Sequence, residues 1–202
     1  MKRLILAYLA AILGTHAALA AEPAAAPVAT KPAAAKPAAD AETLARGKYL
    51  VTVAGCNDCH TPWVESPNGP PHPDMTRMLS GHPESFTITA PATLDGKTWQ
   101  MAAAPTNTAW SGPWGVSFTA NLTPDAETGL GQWTEQTFIQ TIRTGRHLGR
   151  GRQILPPMPI PMYKHFTDED LGAMFAFLQS IPAIKNRVPE PLPPVAPVPP
   201  AH

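Results

Sequence analysis

Cysteine is almost absent: of 202 residues only Cys56 and Cys59 carry a thiol. A multi-disulfide scaffold and a four-cysteine zinc site are both excluded on that count. Charge is scarce as well. Asp, Glu, Lys and Arg make up 15% of the chain, against about 25% in ordinary domains, and the formal net charge is zero. So balanced a chain has no electrostatic footprint for a polyanion, which speaks against nucleic-acid binding. No mature bilayer-spanning segment is expected either. The apolar run Leu4 to Leu13 is cut off by Gly14, Thr15 and His16, well short of the ~20 residues a span requires.

What is plentiful is proline: 26 residues, far above the usual ~5%. It crowds the two ends, 4 of the 20 residues in 21–40 and 7 of the 14 in 189–202. Lys2 and Arg3, the apolar run and Ala18-Leu19-Ala20 together read as a secretory leader over 1–20, cleaved after Ala20. Residues 21–40, largely Ala and Pro, cannot bury a core and read as a semi-extended linker. Residues 189–202 read as a second, polyproline-like tail. That leaves 41–188 as one domain of ordinary size, with the five Trp of the chain arguing that it folds. The exported chain is expected in a bacterial periplasm, without a mature membrane helix, peripheral docking to a membrane complex being left open.

The two thiols stand three residues apart and a histidine follows at once: Cys56-Asn57-Asp58-Cys59-His60. C-x-x-C-H is the attachment pattern of c-type haem. Thiols at i and i+3 share one face of a helical turn and can form thioethers to two vinyl groups of one macrocycle. The next imidazole then serves as proximal iron ligand. A thioredoxin-like pair belongs in a βαβ setting that the surrounding sequence lacks, and a plain disulfide has no use for His60.

Helical signals flank the motif. Asp40 is a plausible N-cap, followed by Leu44, Gly47, Val51 and Ala54 at near-helical spacing. Gly47 costs about 1 kcal/mol relative to Ala inside a helix, so close packing against Phe175 or Phe177 is expected there. A second helix spans about 134–144, with Gly145 beyond its end. A third follows the cap Thr167, with Asp168, Glu169 and Asp170 at the positive end of its dipole. Leu171, Met174, Phe175 and Leu178 form its apolar stripe. Residues 61–130 hold ten Pro and little periodicity, and are expected as loops and short turns wrapped over the haem.

A distal ligand is sought among the methionines. Met174 lies on the helix stripe as core, and Met75 and Met78 sit in a post-motif loop. Met158 stands in Leu155-Pro156-Pro157-Met158-Pro159-Ile160-Pro161-Met162, where prolines leave a weak thioether ligand little entropy to lose. Proline brackets Met158 on both sides, so it is preferred over Met162.

Taken together, Cys56–His60, Asn121-Leu122-Thr123-Pro124-Asp125, Thr128-Gly129-Leu130-Gly131-Gln132-Trp133-Thr134, Arg143-Thr144-Gly145, Pro157-Met158-Pro159 and Thr167-Asp168-Glu169-Asp170-Leu171 resemble class I c-type cytochromes. More narrowly, residues 41–188 resemble one haem domain of the multihaem subunits of periplasmic alcohol, aldehyde and gluconate dehydrogenases. This chain carries one motif where those subunits carry three. The resemblance implies an all-α fold, three to five helices around one covalently bound haem c, with a long loop-rich insertion and Pro-rich tails. It also implies Met158 as distal ligand, and a proline carbonyl after the motif holding the His60 Nδ1–H. The match for that carbonyl lies in Gly69-Pro70-Pro71-His72-Pro73, with Pro70 or Pro71 first and Pro73 next.

His/Met ligation raises the reduction potential and fills both axial positions. Electron transfer rather than catalysis is the function expected, with a dehydrogenase, an oxidase or another cytochrome as redox partner. A haem subunit fixed to such a complex and a haem enzyme or sensor with a labile distal ligand are the alternatives. Arg143, Arg146, Arg150 and Arg152 surround His147 as the one dense positive patch. From it Arg150 and Arg152, together with Trp114, are the candidate propionate contacts. His72, His82, His147 and His165 are alternative axial candidates.

Overall fold

A computed structural model describes residues 39–194. The leader, the linker except for Ala39 and Asp40, and the tail beyond Pro194 lie outside the described residues.

Helix α1 (Ala41–Val53) begins where the Asp40 carboxylate accepts the Thr43 N–H at 2.7 Å, an N-cap of the expected kind. Helix α3 (Glu135–Thr144) is capped by Thr134 and stops at Gly145. Helix α5 (Asp168–Ser180) is capped by Thr167, with three acidic residues in its first turn. Two short helices, α2 (Cys56–His60) and α4 (Ile160–Tyr163), complete the α-helices among the described residues, with 3-10 turns at Met75–Arg77 and His147–Gly149.

α1 and α5 cross at Gly47. A Cβ built there would lie 2.0 Å from the Ala173 carbonyl oxygen and 2.8 Å from the Phe177 Cβ. The glycine exists for that approach, and Phe177 rather than Phe175 is the side chain met. Phe175 points into the core instead, its ring 5.5 Å from that of Phe138. Gly47→Ala should destabilise the protein by about 2 kcal/mol, read as a lower urea midpoint at unchanged m. The roughly 1 kcal/mol of helix propensity gained is outweighed by overpacking of about 3 kcal/mol against backbone that cannot step aside. An unchanged or raised midpoint would mean that the helices do not meet here.

The all-α expectation is wrong. Residues 61–118 hold two antiparallel sheets: β1 (Trp63–Ser66) with β2 (Gly69–Pro73), and β3 (Ala102–Ala103), β4 (Ala109–Gly112) and β5 (Gly115–Phe118) in sequential order. Their physical origin is local. Proline and glycine rule out long helices here, whereas a hairpin needs only a turn and a few ladder bonds. The β4–β5 hairpin turns through Gly112-Pro113-Trp114-Gly115 and pairs Ala109 with Phe118. β5 is buried along its length, and Ala109, Val116 and Phe118 form a small second core.

Candidate functional site

The motif occupies α2, with Cys56 and His60 buried and Cys59 half-buried, both thiols free. Its end is pinned from outside. The Asp58 carbonyl accepts the Trp63 indole N–H at 3.0 Å and the Asn107 amide at 2.7 Å. The Thr61 hydroxyl donates to Asn57 and accepts the Leu79 N–H. Cys56, Cys59 and His60 line a cavity of about 340 Å³, in the range of cofactor pockets (roughly 300–1,000 Å³).

The His60 Nδ1 lies 2.8 Å from the Ala120 carbonyl oxygen. A carbonyl only accepts, so Nδ1 carries the proton and the neutral ring keeps its lone pair on Nε2. Burial lowers the His60 pKa, the Ala120 carbonyl opposing it. This corrects the expectation for residues 69–73: that segment is strand β2, whose residues 69–72 are exposed to solvent. The residues stitching Ala120 under the ring are Leu79 to His82. Gly81 N–H donates to the His60 carbonyl, His82 N–H to Thr119, and Leu122 N–H to Leu79. A backbone acceptor sixty residues away leaves no side-chain signature in a sequence.

Met158 lines the same cavity, half-buried against the main core. Its loop is held on both flanks. The Ser117 hydroxyl of β5 donates to the Pro156 carbonyl at 2.6 Å, and the Tyr163 hydroxyl of α4 donates to the Ala54 carbonyl beside the motif. The Pro156–Pro157 peptide is cis. Met162 is 71% exposed and lies outside the lining. Met174 also reaches the cavity from the buried face of α5, while Met75 and Met78 do not.

The other candidates divide. Arg152 lines the cavity, and its Nε is 3.3 Å from Glu190 Oε2. Arg150 and Trp114 do not line it; the Trp114 ring covers Gly112 and its buried indole N–H has no partner. His147 lines the cavity edge-on to Trp133, its pKa lowered by burial and by Arg152. His82 is buried elsewhere, with Nδ1 3.0 Å from the Thr108 hydroxyl and Nε2 2.8 Å from the Phe86 carbonyl oxygen. His72 and His165 are exposed and outside the lining. Tyr163 and Arg187, both in the lining, were not singled out by their sequence context.

Among the described residues no three His, Cys, Asp or Glu side chains gather closely enough to hold a metal ion by themselves. A c-type haem fits the donor set better: paired free thiols, an imidazole with one free nitrogen, a thioether and an apolar wall share one cavity.

No protein-family model matches the chain. Over 155 residues, 75% of this chain, it is 26% identical to the cytochrome c subunit of a quinone alcohol dehydrogenase of Gluconobacter oxydans, matching 25% of that protein. Over 155 residues, 74% of the chain, it is also 26% identical to the fructose dehydrogenase cytochrome subunit of Gluconobacter japonicus, matching 24% of it. A stretch of 65 residues, 32% of the chain, is 35% identical to the gluconate 2-dehydrogenase cytochrome c subunit of Pantoea cypripedii, matching 14% of it. The chain thus spans a quarter or less of the length of these curated relatives. These relatives are named as cytochrome subunits of quinone alcohol, fructose and gluconate dehydrogenases.

Proposed function

We propose that this chain is a periplasmic c-type cytochrome with one haem, carrying single electrons between a dehydrogenase and a further redox partner. The observation that carries this reading is the convergence of Cys56, Cys59, His60 and Met158 on one cavity. When bound, the haem supplies an iron that accepts and gives up one electron. The chain's residues do the rest. Cys56 and Cys59 hold the group covalently, and the Ala120 carbonyl orients His60 and makes it a stronger ligand. Ser117 and Tyr163 fix the loop that presents Met158. Leu130, Phe138, Leu171 and Leu178 keep water from the cavity, and a dry, thioether-ligated site favours the ferrous state. Arg152 and His147 supply donors at the rim for propionates.

The names of the relatives favour a second form of the same reading, a subunit docked on a dehydrogenase rather than a free shuttle. Copurification of the native protein separates the two. Among the described residues no helix is long and apolar enough to cross a membrane.

Carbon monoxide tests the reading against a haem enzyme or sensor. Ferrous protein should keep its six-coordinate spectrum under the gas, because Met158 on its clamped loop would hold the distal position. Ready formation of a carbonyl adduct would replace the carrier reading by one with an open site.

A further inference from the structure

The proline-rich stretch after α5 is not all tail. Asn186 is 1% exposed, and its side-chain amide donates to the Ser80 carbonyl at 2.7 Å and the His82 carbonyl at 2.8 Å. Its Oδ1 accepts the Glu84 N–H at 3.0 Å, and its own N–H donates to the Thr128 hydroxyl at 3.0 Å. That makes one firm anchor. Leu192 makes the other. It exchanges both backbone hydrogen bonds with Val116 of β5, each 3.0 Å, and packs on the second core. Gly115 is shaped for this contact: its φ is +96°, and a Cβ there would lie 2.0 Å from the Leu192 carbonyl oxygen.

Between the anchors, Arg187, Val188, Pro189, Glu190 and Pro191 all line the cavity that holds Cys56, Cys59, His60 and Met158. Two of these five lack an N–H, so the segment can lie over an apolar cavity with few donors left to satisfy. Glu190 meets Arg152 from the facing rim at 3.3 Å, and the Arg187 N–H is held by Glu84 at 2.8 Å.

We infer that residues 187–192 are a strap that closes the haem cavity against water and small ligands, latched by the Leu192–Val116 bridge. The inference rests on the haem reading above. It extends the site past residue 188 into the proline-rich end and makes Leu192, remote in sequence from every ligand, a positioning residue for the cavity wall.

The test uses the full-length, haem-bearing protein in its ferric form, mixed rapidly with imidazole while the haem spectrum is followed. Leu192→Ala keeps the backbone bridge but removes the side-chain anchor, and should speed imidazole binding about threefold. Leu192→Asp, which places a charge on the second core, should speed it at least tenfold. Leu148→Ala, an exposed leucine outside the cavity lining, should leave the rate unchanged. If the aspartate variant does not fold, the alanine variant decides. A haem-bearing protein whose Leu192 variants bind at the wild-type rate overturns the strap alone. A wild-type chain that takes up no haem overturns both the strap and the reading beneath it.

Discussion

Replacing Cys56 and Cys59 together by alanine should turn a pigment that resists acid acetone into one extracted completely. The wild-type haem is expected to stay with the chain because two thioethers survive denaturation, whereas axial bonds to His60 and Met158 do not. Each single variant should keep one thioether and remain coloured, with the alkaline pyridine spectrum displaced from that of the doubly linked form. The structure makes the pair special. Both sulfurs belong to one five-residue helix, and both line the cavity. Burial pushes the Cys56 thiol up to about 12. Colour that leaves the wild-type protein on extraction would refute covalent attachment.

Met158→Ala should open the distal position and lower the reduction potential by a sizeable part of the roughly 0.8 V that axial ligands span. The ferrous variant should then take up carbon monoxide. Two companions locate the effect. Met162→Ala removes a side chain that is 71% exposed and should leave spectrum and potential as they were. Met174→Leu conserves volume at a buried position, costing less than about 1.5 kcal/mol of stability, and should also leave the spectrum unchanged. The assignment fails if the absorption of thioether-ligated iron disappears in either companion and persists in Met158→Ala.

The helices and the site differ in how far they could be read from the sequence. α1, α3 and α5 announce themselves because a cap is a local event. Asp40, Thr134 and Thr167 each accept an N–H three residues on, and Gly145 follows α3 as its stop. The Cys56–His60 spacing is equally local. The strands are not. β1, β4 and β5 have four residues each, too few for an alternation of polar and apolar positions to show. β5 is buried on every residue and so has none to show. The Ala120 carbonyl has no identity as a side chain, and its place under His60 is set by backbone bonds from 79–82. Composition misleads most at the C-terminal end. Seven prolines in fourteen residues look like a solvated tail, yet Leu192 within the stretch and Asn186 just before it are held by buried partners.

The Gly47 crossing joins α1 to α5, the last helix among the described residues, and so it pairs two stretches more than a hundred residues apart. A chain emerging from its N-terminus displays α1, both thiols and His60 while more than a hundred residues, Met158 and α5 among them, are still to come. Until α5 arrives, α1 has no partner for the face that carries Gly47. Until then Cys56 lacks the α5 residues Leu171, Met174 and Leu178 that share its core. The core around Cys56 is therefore complete only when α5 is in place.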